Sequence, residues 1–330
     1  MFLEAERQFG LNFLKTLPAH NESLVFSPLS IALVLSMVHT GARGRSKEQI
    51  GDALLNGASD DQFVNHFSDV NEKIRSGTNG VEVYVANRVY LNKGFTANPS
   101  FLAVAFKNYG ADAKTLDFES LTAVREINTF VKEATKAKIT DIASKDSIKN
   151  AVALLKVKFM KESMWDRGYS SDDVFQVLHL GYADQRFQFS VFLPKERNTL
   201  TKALEKLDVR RFKTLLSNVR RTFMNTQLPK FTIEREINLK THLESLGITD
   251  IFSDSANLSG LAKNIKISGG VHKAIIEVNE DGTVAAAATM AKAVPMSMRM
   301  ETPVDFKADH PFMFTLSFMN HPIFLGVFNG

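Results

Sequence analysis

The sequence predicts an α+β fold in which helices dominate the first third of the chain and strands dominate the remainder. Apolar residues recur every three or four positions in the N-terminal segments, which is the period of a helix with one buried face. Short alternating or continuously apolar runs recur in the C-terminal half. Because no repeat, low-complexity tract or linker composition divides the chain, we expect one intermixed domain over residues 1–330.

Helical periodicity comes first along the chain, with an alternating segment inside it. It predicts helices over residues 4–17, 27–39, 47–55, 61–76, 99–109 and 121–136, and two more at 200–207 and 239–246. Strands are expected over residues 81–91, 175–180, 187–193, 222–233, 274–278, 312–318 and 323–327. The sequence thus predicts an N-terminal helical half followed by sheet-forming segments.

Composition excludes several classes of protein. A formal charge of +4 and a pI near 9.0 are mild for a nucleic-acid binder, so no nucleic-acid partner is expected. The absence of cysteine excludes disulfides, thiolate zinc sites and cysteine nucleophiles. The most apolar run, residues 29–38, is too short to span a bilayer, so no membrane partner is expected. Since the N-terminus lacks a signal-peptide core, a cytoplasmic protein is expected, with an extracellular one left open.

Motifs for catalysis or metal binding are missing from the sequence. It contains no nucleophile elbow, zincin motif, phosphate loop or dinucleotide fingerprint, and its eight histidines are scattered singly. A calcium-loop pattern begins at Glu277, with Asn279, Asp281 and Gly282 in suitable positions, but its twelfth residue is Ala288 instead of a carboxylate. We therefore predict no enzyme, no cofactor and no metal site.

The most informative stretch is residues 279–300. An acidic turn precedes a glycine and four alanines, and an irregular, Met-rich segment containing Pro295 follows. Alanine favours helix, yet residues 275–278 read as a strand and Pro295 prevents a long helix afterwards. Small side chains would let this segment be a loop in one state and a strand between two others in another state.

Several motifs, in order along nearly the whole chain, resemble those of the serpin family. They are residues 24–31 (LVFSPLSI), 41–44 (GARG), 85–90 (VANRVY), 127–131 (INTFV), 228–231 (LPKF), 246–248 (LGI), 258–260 (LSG), 271–274 (VHKA), 282–289 (GTVAAAAT) and 308–312 (ADHPF). The resemblance implies the serpin fold, with three β-sheets wrapped by helices and an exposed reactive-centre loop at about 279–303.

The resemblance also implies a function. A serpin inhibits a serine endopeptidase as a suicide substrate: the protease cleaves the loop, and the loop's hinge inserts into the central sheet. The hinge would consist of Gly282, Thr283, Val284, Ala285, Ala286, Ala287 and Ala288. The family's spacing places the cleaved bond between Met296 and Ser297, with Arg299 as the second choice. An apolar Met suits chymotrypsin-like or elastase-like proteases, and the inhibitor itself is expected to be a monomer.

A second implied site is the shutter, where the central sheet must part. By resemblance it would contain Ser27, Ser30, Asn128 and His272, whose hydrogen bonds would have to exchange as strands separate. The alternative is that these residues are ordinary helix caps and buried polar groups.

One departure from the family pattern bears on function. The strand expected to continue after Leu155 is replaced by residues 156–161, which resemble a family strand several dozen residues further on. We therefore predict that an internal segment is absent between Leu155 and Lys156, including part of one of the two strands between which the hinge would insert. An inserted strand needs partners on both sides. The sequence thus leaves a second hypothesis open: a non-inhibitory serpin-like protein or an inactive variant.

Overall fold

The structure is a computed structural model that describes residues 2–18, 22–75, 88–110, 112–137, 139–140, 159–279 and 301–330. The predicted hinge, the Met296–Ser297 bond, Arg299 and the junction of Leu155 with Lys156 lie outside the described residues.

Helices form most of the described N-terminal third, as predicted, and others follow further along the chain. They are α1 (Phe2–Thr16), α2 (Pro28–Gly41), α3 (Gly44–Leu54), α4 (Asp60–Arg75), α5 (Pro99–Tyr109), α6 (Leu121–Ala134), α7 (Leu200–Glu205), α8 (Val209–Ser217) and α9 (Leu239–Ser245). The sequence analysis did not predict α8, although Phe212, Leu215 and Leu216 lie buried on one of its faces. Within the described ranges, none of the helices has both the length and the apolar character needed to cross a bilayer.

The strands are β1 (Leu24–Phe26), β2 (Arg88–Asn92), β3 (Asp112–Leu116), β4 (Phe159–Ser171), β5 (Phe175–Gly181), β6 (Phe187–Pro194), β7 (Arg220–Pro229), β8 (Phe231–Asn238), β9 (Val271–Val278), β10 (Val304–Lys307), β11 (Phe312–Phe318) and β12 (His321–Phe328). In the described part of the chain they form one large sheet, ordered β1-β12-β11-β6-β5-β4-β7-β10, and two two-stranded sheets, β2-β3 and β8-β9.

The predicted strand over residues 222–233 is wrong, because the structure divides it into two strands. β7 ends at Pro229 and pairs with β4 and β10, whereas β8 begins at Phe231 and pairs with β9 in a different sheet. Proline has no N–H to donate to a ladder, so a strand commonly ends there. Alternating apolar residues continue through both strands, and the alternation alone does not reveal the change of sheet.

The large sheet holds an aromatic core and supports the N-terminal helices. Phe189, Phe192, Phe312 and Phe314, on β6 and β11, are fully buried. The helices α1 and α2 lie against β12. β12 pairs with β11 along one edge and with β1 along the opposite edge. This arrangement places the start of α2, immediately after β1, beside the small β8-β9 sheet.

The two small sheets are separate units within the described residues. In the first, β2 and β3 run parallel, and α6 packs on them through a Lys114–Glu126 ion pair and through Arg88, which lies 3.8 Å from the centre of the Phe130 ring. In the second, β8 and β9 run antiparallel and Lys273 pairs with Glu234 at 2.8 Å. No strand among those described joins the two sheets.

Candidate reactive-loop site

The segment between Asn279 and Glu301 connects two different sheets. It leaves from the end of β9, which belongs to the two-stranded β8-β9 sheet, and it returns into β10, which belongs to the large sheet. A protein segment with its ends in separate sheets can be cut without severing either sheet. After a cut, each half would remain attached to its own anchor.

The N-terminal anchor is a strand with a regular alternation of buried and accessible residues. On β9, His272, Ala274, Ile276 and Val278 are buried, whereas Val271 and Glu277 are exposed. This period of two places one face of the strand against the core. The strand pairs with β8 along one edge, and no other described strand occupies its second edge. That edge is where an added strand could form hydrogen bonds.

The C-terminal anchor is held by both backbone and side chains. β10 pairs with β7 in parallel register, from Val304 with Met224 to Lys307 with Gln227. The side-chain amide of Asn225 donates a 2.9 Å hydrogen bond to Asp305, which fixes the strand at its second residue. The backbone N–H of Ala308 continues the pairing by donating to the carbonyl of Gln227 at 2.9 Å.

Three of the four predicted shutter residues meet at the start of α2. The backbone N–H of Ser27 donates to Nε2 of His272 at 2.9 Å, across a sequence separation of 245 residues. The Ser27 hydroxyl in turn accepts from the backbone N–H of Ser30 at 3.1 Å, as a helix N-cap does. The cluster therefore connects β9 to the first turn of α2.

The protonation state of His272 follows from its surroundings. Burial lowers the pKa of this imidazole to about 4 because the interior disfavours its charged form. A neutral ring with Nε2 as acceptor is also what the Ser27 N–H requires.

The fourth predicted shutter residue, Asn128, lies on a different element. Asn128 lies half-buried on α6, the helix that contacts β2 and β3. Its role in a shutter therefore stays a prediction that rests on resemblance alone.

Two residues of the incomplete calcium-loop pattern contact each other at the end of β9. The side-chain amide of Asn279 donates a 2.7 Å hydrogen bond to the Glu277 carboxylate.

Sequence reasoning missed one polar cluster, since it treated all histidines as isolated. His66 Nε2 and His321 Nδ1 lie 2.6 and 2.7 Å from the two carboxylate oxygens of Glu6. Burial acts to raise the pKa of Glu6, but the hydrogen bonds from His321 and His66 outweigh it and hold that pKa below its usual value. These residues are 60 and 315 positions apart from Glu6, so no local spacing could have revealed the cluster.

Comparison with known proteins agrees with this architecture. A family model described as "Serpin (serine protease inhibitor)" matches residues 4–155 and 153–329. The chain belongs to the serpin family. It is 30% identical to Iripin-2 of Ixodes ricinus, over 94% of this chain and 88% of that protein. It is 31% identical to a leukocyte elastase inhibitor of Xenopus laevis, over 93% of each.

A solved structure shows the same fold. The crystal structure of the thermophilic serpin tengpin in its native state superposes on this serpin with a TM-score of 0.87, at 25% sequence identity. The match covers 100% of this chain and 94% of tengpin. The predicted α+β serpin fold is therefore confirmed, as is the prediction that the protein is an inhibitor of proteases and not a catalytic enzyme.

The alignment with a relative contains positions at which this serpin has no residue. The alignment with Iripin-2 runs over 357 residues, although this chain has 330. The family model matches the chain in two pieces, which overlap at residues 153–155, beside the place where the sequence analysis expected a segment to be absent. The two observations agree with a gap between Leu155 and Lys156.

Proposed function

We propose that this serpin is a suicide substrate for a chymotrypsin-like or elastase-like serine protease, which cleaves it between Met296 and Ser297. Family membership supports inhibition of serine proteases. The observation that carries the mechanism is the anchoring of the loop in two sheets, by β9 on one side and β10 on the other. Cleavage between these anchors frees the β9 side to move while the β10 side stays in place.

The mechanism assigns separate tasks to protease and serpin. The protease serine attacks the carbonyl carbon of Met296, the peptide bond to Ser297 breaks, and the leaving amine takes a proton, so that an acyl-enzyme ester remains. The hinge, residues 282–288, then adds as a strand along the second edge of β9. Four alanines and a glycine suit this step because small side chains pass easily between closely spaced strands.

The family's spacing selects Met296, and the chemistry of its side chain indicates the type of protease. An unbranched apolar side chain fits an apolar specificity pocket, whereas Arg299 would require an acidic one. One relative is named a leukocyte elastase inhibitor, which supports an elastase-like target for this serpin as well. A monomeric state and a cytoplasmic location stay predictions.

The test is to incubate the protein with pancreatic elastase, chymotrypsin and trypsin and to look for a complex that survives SDS and heat. We expect that complex with elastase or chymotrypsin and a new N-terminus at Ser297. Met296→Arg should transfer complex formation to trypsin, and Arg299→Met is the matched control that should leave the elastase or chymotrypsin complex intact.

Two results would count against the proposal. Clean cleavage by all three proteases without a stable complex would favour the non-inhibitory alternative over the inhibitor. A trypsin complex of the unmodified protein, with its cut after Arg299, would retain inhibition but remove Met296 from the reactive bond.

A further inference from the structure

Glu6, His66 and His321 form a compact cluster far from the reactive loop. Glu6 lies on α1, His66 on α4, and His321 at the start of β12, after the turn from β11. One potential ligand atom from each residue can be chosen so that all three lie within 4.8 Å of one another. Three elements that are distant in sequence thus present one carboxylate and two imidazoles to a common point.

The cluster is held in place and remains accessible from one side. The Glu6 side chain is 4% exposed, whereas those of His66 and His321 are 18% and 15% exposed. The ring of Phe2 stacks on His66 with centroids 4.6 Å apart, and Phe67 meets the same ring edge-on at 5.2 Å. The carboxylate is therefore fixed in the interior, and solvent can reach the imidazoles.

The neighbouring cation is directed elsewhere. Arg7, next to Glu6 on α1, is buried and donates through its guanidinium to the backbone carbonyl of Asn320 at 3.3 Å. Arg7 acts on the Glu6 carboxylate through its charge, whereas the carboxylate accepts its hydrogen bonds from the two histidines.

We propose that Glu6, His66 and His321 bind a divalent transition-metal ion of the Zn²⁺ type, with water completing the coordination. Two imidazoles and one carboxylate are a recurrent ligand set for zinc, which takes His nitrogen and carboxylate oxygen at about 2.0–2.2 Å. Ligand atoms at tetrahedral positions around such an ion are about 3.3–3.6 Å apart, by the same bond lengths. The Glu6 oxygens are now 2.6 and 2.7 Å from the ring nitrogens, so small outward side-chain movements admit the ion.

Metal binding requires that the two N–H protons facing the Glu6 carboxylate move elsewhere. In the metal-free protein, Nε2 of His66 and Nδ1 of His321 donate to the carboxylate. On binding, each ring transfers that proton through solvent to its other nitrogen, and the freed lone pair bonds to the ion. The ion then takes the place that the two N–H groups held beside the carboxylate.

The site would tie the N-terminal helix to the rest of the serpin. Its ligands come from α1, α4 and β12, and they come together only in the folded chain. An ion that binds the folded state alone stabilises it by mass action. At a hundredfold excess of Zn²⁺ over Kd we expect the unfolding midpoint to rise by about 4 °C.

The experiment is to titrate the full-length, metal-stripped protein with ZnCl₂ by calorimetry, and with Co²⁺ by visible absorption, at neutral pH. We expect one ion per chain and a tetrahedral Co²⁺ spectrum. His66→Gln, His321→Gln and Glu6→Gln should each weaken binding at least about tenfold, the loss that even indirect partners of a metal cause. The matched control is His242→Gln, because His242 contacts Thr16 at 2.9 Å and lies outside the cluster.

Folding of each variant is checked by circular dichroism. His321→Gln, at a partly exposed turn position, serves if the buried Glu6→Gln variant fails to fold. A folded wild-type protein that binds no Zn²⁺ would show that the cluster is only a hydrogen-bonded tether. Undiminished affinity in folded His66→Gln and His321→Gln variants would also overturn the site, since the ion would then be bound elsewhere.

Discussion

His272 on β9 accepts a hydrogen bond from the backbone N–H of Ser27, and this 2.9 Å contact connects the strand before the reactive loop to the first turn of α2. The Ser27 hydroxyl is not used in that contact, because it caps α2 by accepting from the N–H of Ser30. One residue thus serves two functions with two different groups. The two functions can be separated by mutation.

The first prediction concerns this separation. Ser27→Ala removes only the helix cap and should cost about 1 kcal/mol of unfolding free energy. His272→Ala removes the acceptor of a buried N–H, which costs about 1–3 kcal/mol, and leaves a cavity that adds to the loss. Denaturant unfolding of both single variants and the double variant measures these costs. Because Ser27→Ala leaves the backbone N–H in place, the two effects should add within about 0.5 kcal/mol. The coupling of about 0.5–3 kcal/mol that residues in contact can show would mean that the cap and the imidazole act as one unit.

The second prediction concerns pH. Burial lowers the pKa of His272 to about 4, whereas an unfolded histidine titrates near pH 6.5. The folded chain therefore binds fewer protons than the unfolded chain between these values, and stability present above pH 6.5 is lost as the pH falls toward 4. The loss should reach about 3 kcal/mol from this residue.

Unfolding at several pH values between 7.5 and 4 tests that prediction by comparing slopes. The pKa of His179 is also lowered to about 4 by burial, so part of the pH dependence should survive in His272→Gln. The His272→Gln variant should nevertheless have a shallower dependence than the unmodified protein. Equal slopes would show that His272 does not titrate as its burial implies.

Local signals explain which elements could be predicted from the sequence. Helix α5 was predicted with its observed bounds, because Asn98 caps it, Pro99 occupies its first turn and Gly110 ends it in the left-handed region. The separation of β7 from β8 was not predicted, since the partners that distinguish them are β4 and β9, far away in sequence. Strand β10 was missed because it is four residues long and buries only Phe306.

The site depended even more on distant contacts. Ser27 and His272 were named through a family resemblance, since nothing in their spacing of 245 residues indicates contact. Asn128 was named in the same way; it lies on α6, and its role in a shutter stays a prediction. Long-range side-chain contacts arise from packing of whole elements, which periodicity does not specify.

The third prediction concerns close packing in the large sheet. Gly326 on β12 leaves no room for a side chain, because a Cβ there would lie 2.5 Å from the carbonyl oxygen of Leu24 and would also collide with the Phe314 ring. Gly326→Ala should therefore destabilise the fold by about 1–3 kcal/mol or more. Gly181→Ala is the matched control, since nothing lies within 4 Å of its added Cβ, and it should change stability by less than about 0.5 kcal/mol. Thermal unfolding of the two variants measures the difference. Equal destabilisation of both would contradict the clash at Gly326.

The fourth prediction concerns loop insertion and rests on the proposed function. If the hinge adds to the free edge of β9 after cleavage, new backbone hydrogen bonds and buried apolar surface should raise the unfolding midpoint of the cleaved protein well above that of the intact one. Ala286→Pro should abolish the increase, because proline removes a ladder N–H from the inserted strand. Ala293→Pro lies outside residues 282–288 and is the control that should retain the increase.

Comparing the intact and the cleaved protein also tests whether the hinge finds a strand on each side when it inserts. A strand inserted beside β9 needs hydrogen-bond partners on both of its edges, and the described residues supply β9 but no strand for the opposite side. Differential scanning calorimetry before and after elastase cleavage therefore distinguishes two outcomes. A large upward shift that Ala286→Pro removes would show that residues between α6 and β4 supply the strand on the opposite side despite the gap near Leu155. An unchanged midpoint would show that the hinge does not insert, since a completed sheet cannot form without added stability.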